Sequence, residues 1–327
     1  MIWIEFITCA ALLAFFAYLL CREGVILSER TNMEEGLIGV VFLAIATSFP
    51  EITTGVAAIT GLQSLQLGYG DIVGSIAVNL MVLFFLDIAI GKGRLLKGLS
   101  PMNRRTGEYV LAMSLVAILS ITARSSGFYR VSVWRIGPES IVIALLYFYC
   151  LKRSRTPEMP GADTLPPEAR TEPLWRIWSK FLGLLAVVMA LGTWMAFSGK
   201  RVVEATGISE TFTGTLLLGL ATSLPEIIVS FTALKAASSY DMAVGNILGS
   251  NLFDISVISF FDLLTPEPIF GMLTGGLGLA TAMVVVLSGI TVLAMRSERD
   301  SRARFNWDTG LIFIVGLAGF VLLYFIK

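Results

Sequence analysis

The sequence predicts an all-α membrane protein with ten transmembrane helices, arranged as two inverted repeats of five helices each. Three observations predict this fold class: ten apolar segments are long enough to cross a bilayer, the two halves share motifs, and charged residues are scarce. Of the 327 residues, 55% are hydrophobic and 15% are charged, whereas a soluble domain has about 25% charged residues. Most of the chain is therefore expected to contact the lipid bilayer or to lie within it.

Composition also excludes several classes of function. Lys plus Arg and Asp plus Glu both number 24, so the net charge is zero, and a nucleic-acid partner is not expected without a basic surface. The chain has no histidine, which excludes Ser-His and Cys-His catalysis and His-ligated zinc or haem. Its three cysteines, Cys9, Cys21 and Cys150, have no CxxC spacing and predict neither a disulfide framework nor a thiolate metal site.

The predicted helices are the apolar segments of the length that a bilayer core of about 30 Å requires, about 20 residues. The first segment carries Glu5 and lacks a basic start, so it is interpreted as a helix and not as a cleaved signal peptide. The ten segments lie near residues 2–21, 36–60, 70–91, 108–123, 136–151, 177–198, 211–235, 242–263, 269–295 and 308–326.

A polar segment with five prolines, residues 152–176, separates the two halves. Its composition predicts a flexible linker between the first repeat, residues 1–151, and the second, residues 177–327. Most lysines and arginines lie in or beside the loops that follow the first, third, fifth, seventh and ninth helices. The positive-inside rule therefore predicts a cytoplasmic linker and external termini. The expected location is a plasma membrane of prokaryotic type.

The two halves share two motifs in the same order. Ala-Thr-Ser-Phe-Pro-Glu at 46–51 reappears as Ala-Thr-Ser-Leu-Pro-Glu at 221–226, and Gly-Asp-Ile-Val-Gly-Ser at 70–75 reappears as Gly-Asn-Ile-Leu-Gly-Ser at 245–250. Because each half has an odd number of helices, the second copy must enter the membrane in the opposite direction. Inverted repeats with interrupted helices are typical of secondary transporters, whose site lies near the midplane between the repeats.

The first motif offers oxygen ligands inside the membrane. Pro50 has no N–H, so the carbonyl of Ala46 loses its helical partner, which is costly in lipid unless that carbonyl lines a cavity or binds an ion. Thr47, Ser48 and Glu51 lie on adjoining helix faces. The second copy supplies the same groups from Ala221, Thr222, Ser223 and Glu226. Such an all-oxygen set suits Ca²⁺ better than Mg²⁺, and Na⁺ accepts the same carbonyls and hydroxyls.

The second motif adds a polar stripe to each neighbouring helix. Asp71, Ser75 and Asn79 are spaced by four residues on the third helix. The eighth helix carries the matching set, which consists of Asn246, Ser250 and Asp254, with Asn251 beside it. Gly74 and Gly249 are predicted to allow close helix packing, and Asp87 and Asp262 to be cap or interface residues at helix ends.

These motifs resemble the α-repeats of the cation/Ca²⁺ exchanger superfamily, most closely its microbial Na⁺/Ca²⁺ exchanger branch. The resemblance implies a sodium/calcium exchanger-like fold and a central divalent site built from Glu51 and Glu226 with oxygens of Thr47 and Thr222. It also implies flanking Na⁺ sites with Asp254 and an inner polar position at Asn79. The residues implied in the Na⁺ sites are Ala46, Ser48, Ser75, Ala221, Ser223 and Ser250.

Two positions depart from the family pattern, which usually has asparagine at both: Asp71 and Ile76. Asp71 is therefore predicted either to modify ion preference or to be a vestibule residue that attracts cations. Asn79 paired with Asp254 resembles the microbial Na⁺/Ca²⁺ pattern, whereas proton-coupled relatives tend to carry amides at both positions.

The leading hypothesis is an antiporter that extrudes Ca²⁺ in exchange for inward Na⁺, with the first and sixth helices as the moving gate that the family resemblance implies. The alternative is an antiporter of H⁺ for Ca²⁺ or another divalent cation, because a buried glutamate can accept a proton. A passive cation channel and an intramembrane protease are less favoured, since broken helices in inverted repeats fit carriers and the TSxPE motif matches no protease. We expect a transporter that is not an enzyme, with no cofactor, with Ca²⁺ and Na⁺ as transported ions, and with no obligate protein partner.

Overall fold

The structure is a computed structural model in which all assigned elements are helices. It describes residues 1–31, 47–91, 95–128, 131–132, 134–153, 171–236, 240–273, 275–297 and 306–326. The helices are α1 (Ile2–Arg30), α2 (Phe49–Val56, continued by a π-helical turn at Ala57–Gly61), α3 (Leu65–Ile90), α4 (Pro101–Ser125), α5 (Pro138–Arg153), α6 (Leu174–Thr206), α7 (Glu210–Thr222, π-helical at Thr213–Leu218), α8 (Leu224–Ala236), α9 (Tyr240–Phe261), α10 (Ile269–Met272), α11 (Gly275–Arg296) and α12 (Trp307–Phe325).

Helix ends follow local sequence signals. The side chains of Ser64 and Ser100 cap α3 and α4 by accepting a hydrogen bond from the backbone N–H three residues later, and Pro101 occupies the first turn of α4. Helices α3 and α6 end at Gly91 and Gly207, whose φ values of 70° and 71° are left-handed. A residue without Cβ adopts this conformation at no steric cost.

The part of the chain that the structure describes contains seven helices long and apolar enough to cross a membrane, or eight if α7 and α8 form one bent span. The chain is thus a multi-pass, all-helical membrane protein. The predicted segment 36–60 is described only from Thr47 onward, and α5 has 16 residues, fewer than the roughly 20 of a full crossing. The prediction of one continuous helix at 269–295 is wrong, because the extended backbone of Leu273 separates α10 from α11.

The apolar side chains pack into two separate clusters. The larger one surrounds α3, which contacts α7, α9, α11 and α12, while α9 contacts α4, α5 and α8. The smaller one is formed mainly by α1 and α6, which pack along each other and against α2 and α7. Helices α1 and α6 therefore form a pair with its own apolar core.

Polar contacts join this pair internally and to the rest of the protein. Glu5 of α1 forms an ion pair with Arg201 of α6 and accepts a hydrogen bond from the indole N–H of Trp194 at 2.9 Å. Lys200 of α6 pairs with Glu210 at the start of α7, and the Ser64 hydroxyl donates to the same carboxylate at 2.7 Å. The end of α6 and the starts of α3 and α7 thus lie on one side of the protein.

Asp87 and Asp262 hold the ends of α3 and α9 against distant loops. Asp87 accepts a hydrogen bond from the N–H of Asn306 at 2.7 Å, and Asp262 accepts one from the N–H of Gly137 at 2.8 Å. Each also accepts a backbone N–H from the loop that follows its own helix. Their prediction as cap or interface residues is confirmed by these contacts.

Candidate functional site

The site is built where two helices begin at a Ser-x-Pro-Glu sequence. Helix α2 begins at Phe49, with Pro50 in its first turn, and α7 ends at Thr222 before a 41° bend into α8. Proline at these positions removes a backbone donor and favours the break. Glu51 and Glu226 lie in the first turns of α2 and α8 and are 0% and 1% exposed.

A chain of hydrogen bonds joins α3 to the end of α7. The Thr222 hydroxyl donates to Oδ1 of Asp71 at 2.9 Å, and the Ser75 and Thr222 hydroxyl oxygens are 3.1 Å apart. Ser75 also donates to the carbonyl of Gly219 at 3.3 Å. Gly219 was not predicted as a site residue, because each motif proline frees the carbonyl four residues before it, at Ala46 and Ala221, and gives no signal for Gly219.

A pair of amides joins α3 to α9. The side-chain N–H of Asn79 donates to Oδ1 of Asn251 at 3.0 Å, and the side-chain N–H of Asn251 donates to the carbonyl of Ile76 at 3.4 Å. The sequence placed Asn251 only beside the predicted stripe, although its side chain contacts Asn79 directly. Asn251 therefore bridges α3 and α9. Its equivalent in the first repeat is Ile76, which has no side-chain amide.

Most of the buried carboxylate and hydroxyl oxygens at the two motifs have no hydrogen-bond partner in the described part of the protein. Buried polar atoms are normally paired, so this concentration of unpaired acceptors indicates a place for cations. The unpaired atoms include both carboxylate oxygens of Glu51 and Glu226, Oδ2 of Asp71, Oδ1 of Asn79 and the hydroxyl oxygen of Ser223. Asp254 and Ser48 interact with each other through their side chains.

The carboxylates share one electrostatic environment without forming one tight cluster. Glu51 interacts electrostatically with Glu226, Asp254 and Asp71. Among the described residues, however, no three acidic or cysteine side chains lie close enough together to ligate one metal ion. An ion bound here must therefore complete its shell with hydroxyl, amide and carbonyl oxygens, which are ligands that hard cations accept.

The remaining predicted residues are placed as follows. Thr47, Ala221 and Ser250 are buried at 6%, 3% and 4% exposure, and Ala46 lies outside the described residues. Asp71 is 0% exposed and accepts a hydrogen bond from Thr222, and both interpretations of its role stay predictions. Its burial follows from close packing of α3 against α7, which only the tertiary structure determines.

Glycine makes that packing close. A Cβ at Gly74 would overlap the carbonyl of Thr215, and a Cβ at Gly219 would lie 2.7 Å from the backbone of Gly74 and Ser75. The prediction for Gly74 is confirmed. No described residue comes within 4 Å of a Cβ added at Gly249. In the first repeat, the residues equivalent to those that pack against Gly74 lie within 32–46, outside the described part.

Comparisons with known proteins agree with this arrangement. A family model described as sodium/calcium exchanger protein matches residues 1–153 and 177–326. Inner membrane protein YrbG of Escherichia coli strain K12 is 27% identical over 271 residues, covering 79% of this chain and 76% of that protein.

Two solved structures share the fold. One is YfkE, at 15% identity with a TM-score of 0.65, covering 98% of this chain and 91% of that one. The other is the sodium-calcium exchanger NCX_Mj, at 19% identity with a TM-score of 0.59, covering 98% and 99%.

Proposed function

Because this chain belongs to the sodium/calcium exchanger protein family, and is thus a cation/Ca²⁺ antiporter of the membrane and not an enzyme, we propose that it extrudes Ca²⁺ in exchange for Na⁺. The observation that carries the proposal is the pair of buried glutamates, Glu51 and Glu226, whose four carboxylate oxygens have no partner in the described part of the protein. Their position after the two helix breaks supports a central divalent site, with oxygens of Thr47 and Thr222 as further ligands.

The Na⁺ sites of the proposal flank this centre. The side chains of Ser48, Ser75, Ser223 and Ser250 would supply hydroxyl oxygens, while Asp254 and the amide of Asn79 would complete the cluster. The carbonyls proposed from the motif are those of Ala46 and Ala221. Proximity of Ser75 to the carbonyl of Gly219 adds that carbonyl as a further candidate ligand.

Exchange would follow from competition for shared ligands. Na⁺ and Ca²⁺ neutralise the same carboxylates, and an empty cavity with several buried charges is costly in a membrane. The protein would therefore change between its two access states readily only when loaded. Helices α1 and α6, which have their own apolar core, are proposed as the moving gate.

The proposed architecture is ten helices in two inverted repeats, residues 1–151 and 177–327, joined by the linker 152–176. Both termini would lie outside and the linker in the cytoplasm. The contact of α3 with α12 and of α9 with α5 supports this arrangement, because each repeat then packs its third helix against the last helix of the other repeat.

The second candidate is exchange of H⁺ for Ca²⁺ or another divalent cation. It is favoured by one observation: the two glutamates and Asp254 are fully buried without a basic partner among the described residues. Protons could then replace Na⁺ as the ions that neutralise these carboxylates.

Calcium flux into proteoliposomes separates the two candidates. Vesicles loaded with Na⁺ are compared with vesicles holding only a pH gradient, and uptake of ⁴⁵Ca²⁺ is measured. We expect the Na⁺-loaded vesicles to take up ⁴⁵Ca²⁺. Uptake should fall by more than about 100-fold in Glu226→Gln, because loss of even an outer-shell partner of a metal site lowers metal affinity or activity by about 10–100-fold.

Glu204→Gln, at an exposed position near the end of α6, is the matched control and should transport as the wild type does. Uptake driven only by the pH gradient would show that the coupling ion is H⁺ and not Na⁺. Absence of uptake under both gradients would overturn Ca²⁺ as the transported ion.

A further inference from the structure

The position of Asp71 breaks the similarity between the two repeats in a way that changes the local chemistry. Its counterpart in the second repeat is Asn246, whose amide donates to the carbonyl of Glu226 at 3.2 Å and to the hydroxyl of Ser230 at 2.9 Å. An ionised Asp71 can only accept, and it accepts from Thr222. Asn246 thus donates a hydrogen bond to the backbone of its motif helix, whereas Asp71 accepts one from the side chain of Thr222.

The hydroxyl of Thr222 has one proton and three oxygen neighbours. These neighbours are Oδ1 of Asp71 at 2.9 Å, the carbonyl of Leu218 at 3.0 Å and the Ser75 hydroxyl at 3.1 Å. A hydrogen bond to a carboxylate is stronger than one to a neutral acceptor, so the Thr222 hydroxyl donates to an ionised Asp71. The Thr222 oxygen then keeps a lone pair for another partner.

The second oxygen of Asp71 is the unexplained group. The side chain is 0% exposed, and Oδ2 has no hydrogen-bond partner in the described part of the protein. A buried charge with an unpaired oxygen is costly unless a counter-charge is present. No described lysine or arginine pairs with this group, and the nearby hydroxyls of Ser75 and Thr222 and the carbonyl of Gly219 are all oxygen ligands.

We propose that Asp71 is a specificity-determining residue that binds a monovalent alkali cation through Oδ2, together with oxygens of Ser75, Thr222 and Gly219. A single carboxylate with neutral oxygens suits a monovalent ion better than a divalent one, since divalent sites gather more charge. This inference rests on the proposed function and deepens it.

The consequence is one additional monovalent cation in each transport cycle. In the Na⁺-loaded state each buried carboxylate is neutralised by one Na⁺, so four Na⁺ ions bind with Asp71 and three bind without it. One Ca²⁺ displaces these ions in either case. The number of Na⁺ ions exchanged for each Ca²⁺ is therefore expected to depend on this side chain.

The test compares the wild type, Asp71→Asn and Ser75→Ala in proteoliposomes, with Glu204→Gln as the control. The first measurement is the half-saturating concentration of Na⁺, Li⁺ and K⁺, and the second is the half-saturating Ca²⁺ concentration in Ca²⁺–Ca²⁺ exchange. The third is the reversal potential, which gives the number of Na⁺ ions exchanged per Ca²⁺. We expect Asp71→Asn to raise half-saturating Na⁺ by about tenfold or more and to lower the number of Na⁺ ions by about one. Half-saturating Ca²⁺ should change less than half-saturating Na⁺.

Ser75→Ala removes an oxygen ligand without removing a charge. It should therefore raise the half-saturating Na⁺ concentration and leave the number of Na⁺ ions exchanged per Ca²⁺ unchanged. Wild-type values for Na⁺ affinity and ion ratio in Asp71→Asn would overturn the inference and leave Na⁺/Ca²⁺ exchange standing. Equal loss of Na⁺ and Ca²⁺ affinity in Asp71→Asn would assign Asp71 to the common site or to the fold, and would also overturn it. Absence of Na⁺-dependent uptake in the wild type would overturn the proposed function and the inference with it.

Discussion

At the scale of single residues, hydrogen-bond satisfaction separates two kinds of buried carboxylate. Asp87 and Asp262 are fully buried, and both oxygens of each accept hydrogen bonds from backbone N–H groups or a hydroxyl. Glu51 and Glu226 are as deeply buried, yet their carboxylate oxygens have no partner in the described part of the chain. The first kind stabilises the fold, and the second kind is proposed to bind the transported ion.

This separation predicts opposite effects of two isosteric substitutions. Asp87→Asn places an amide N–H against the N–H of Asn306 and should lower the free energy of unfolding by about 1–3 kcal/mol, the cost of an unsatisfied buried group. Glu226→Gln should leave the thermal unfolding midpoint in detergent unchanged or raised, because a buried charge is removed.

Thermal unfolding of both variants and of the wild type, measured in the absence of Ca²⁺, checks this pair of outcomes. A fall in the midpoint of Glu226→Gln equal to that of Asp87→Asn would show that the glutamate has a structural role as well.

At the scale of elements, the site depends on how closely α3 approaches α7. Gly74 and Gly219 face each other across this contact. A Cβ added at Gly70 would lie 3.3 Å from the backbone of Gly214. Helix α7 is π-helical from Thr213 to Leu218 in the same region, and π-helical turns within α-helices frequently occur at functional sites. Backbone contact between these helices places Thr222 beside Asp71 and Ser75.

Gly74→Ala is predicted to disturb both stability and transport. The added methyl group would meet the backbone of Thr215, which cannot rotate away as a side chain can, so overpacking should cost about 1–3 kcal/mol. Na⁺-dependent uptake should fall as well, because Thr222 and Asp71 would move apart.

Gly289→Ala on α11 is the matched control, since its Cβ would have no atom within 4 Å in the described part of the protein. Replacing this glycine should change stability by at most about 1 kcal/mol, in the favourable direction. Thermal midpoints and ⁴⁵Ca²⁺ uptake of both variants give the comparison, and wild-type values for Gly74→Ala would contradict the close contact.

At the scale of the whole molecule, the protein consists of a large helical body around α3 and α9 and the separate α1–α6 pair. The contact between Ser64 and Glu210 puts the loops before α3 and α7 on the same side. In the proposed topology this side carries both chain termini, and the linker 152–176 lies on the opposite side.

Cysteine labelling tests this topology. The native Cys9, Cys21 and Cys150 are buried, so their background labelling by a membrane-impermeant maleimide should be low. We expect Ile208→Cys, in the loop between α6 and α7, to be labelled from outside intact cells, and Ala162→Cys in the linker to be labelled only after permeabilisation. The reverse pattern would invert the orientation that the positive-inside rule predicts.

The sequence by itself determined the class of protein and the repeated motifs, and it predicted the residues of the site. Apolar segments of membrane length predict helices because lipid leaves no other partner for the backbone, and the two Thr-Ser-x-Pro-Glu motifs predict paired glutamates after helix breaks. The family relationship followed from the same residues. These properties depend on residues close together in the chain, so local reasoning was sufficient for them.

Only the tertiary structure decided which polar groups meet. The burial of Asp71 against Thr222, the amide pair of Asn79 and Asn251, and the Gly219 carbonyl beside Ser75 all join residues more than a hundred positions apart. Whether a buried carboxylate is satisfied depends on such distant donors, as Asp87 depends on the N–H of Asn306 and Asp262 on the N–H of Gly137. The sequence predicted Asp87 and Asp262 as structural and Glu51 and Glu226 as ion ligands, but the hydrogen-bond partners that distinguish the two groups could be found only in the tertiary structure.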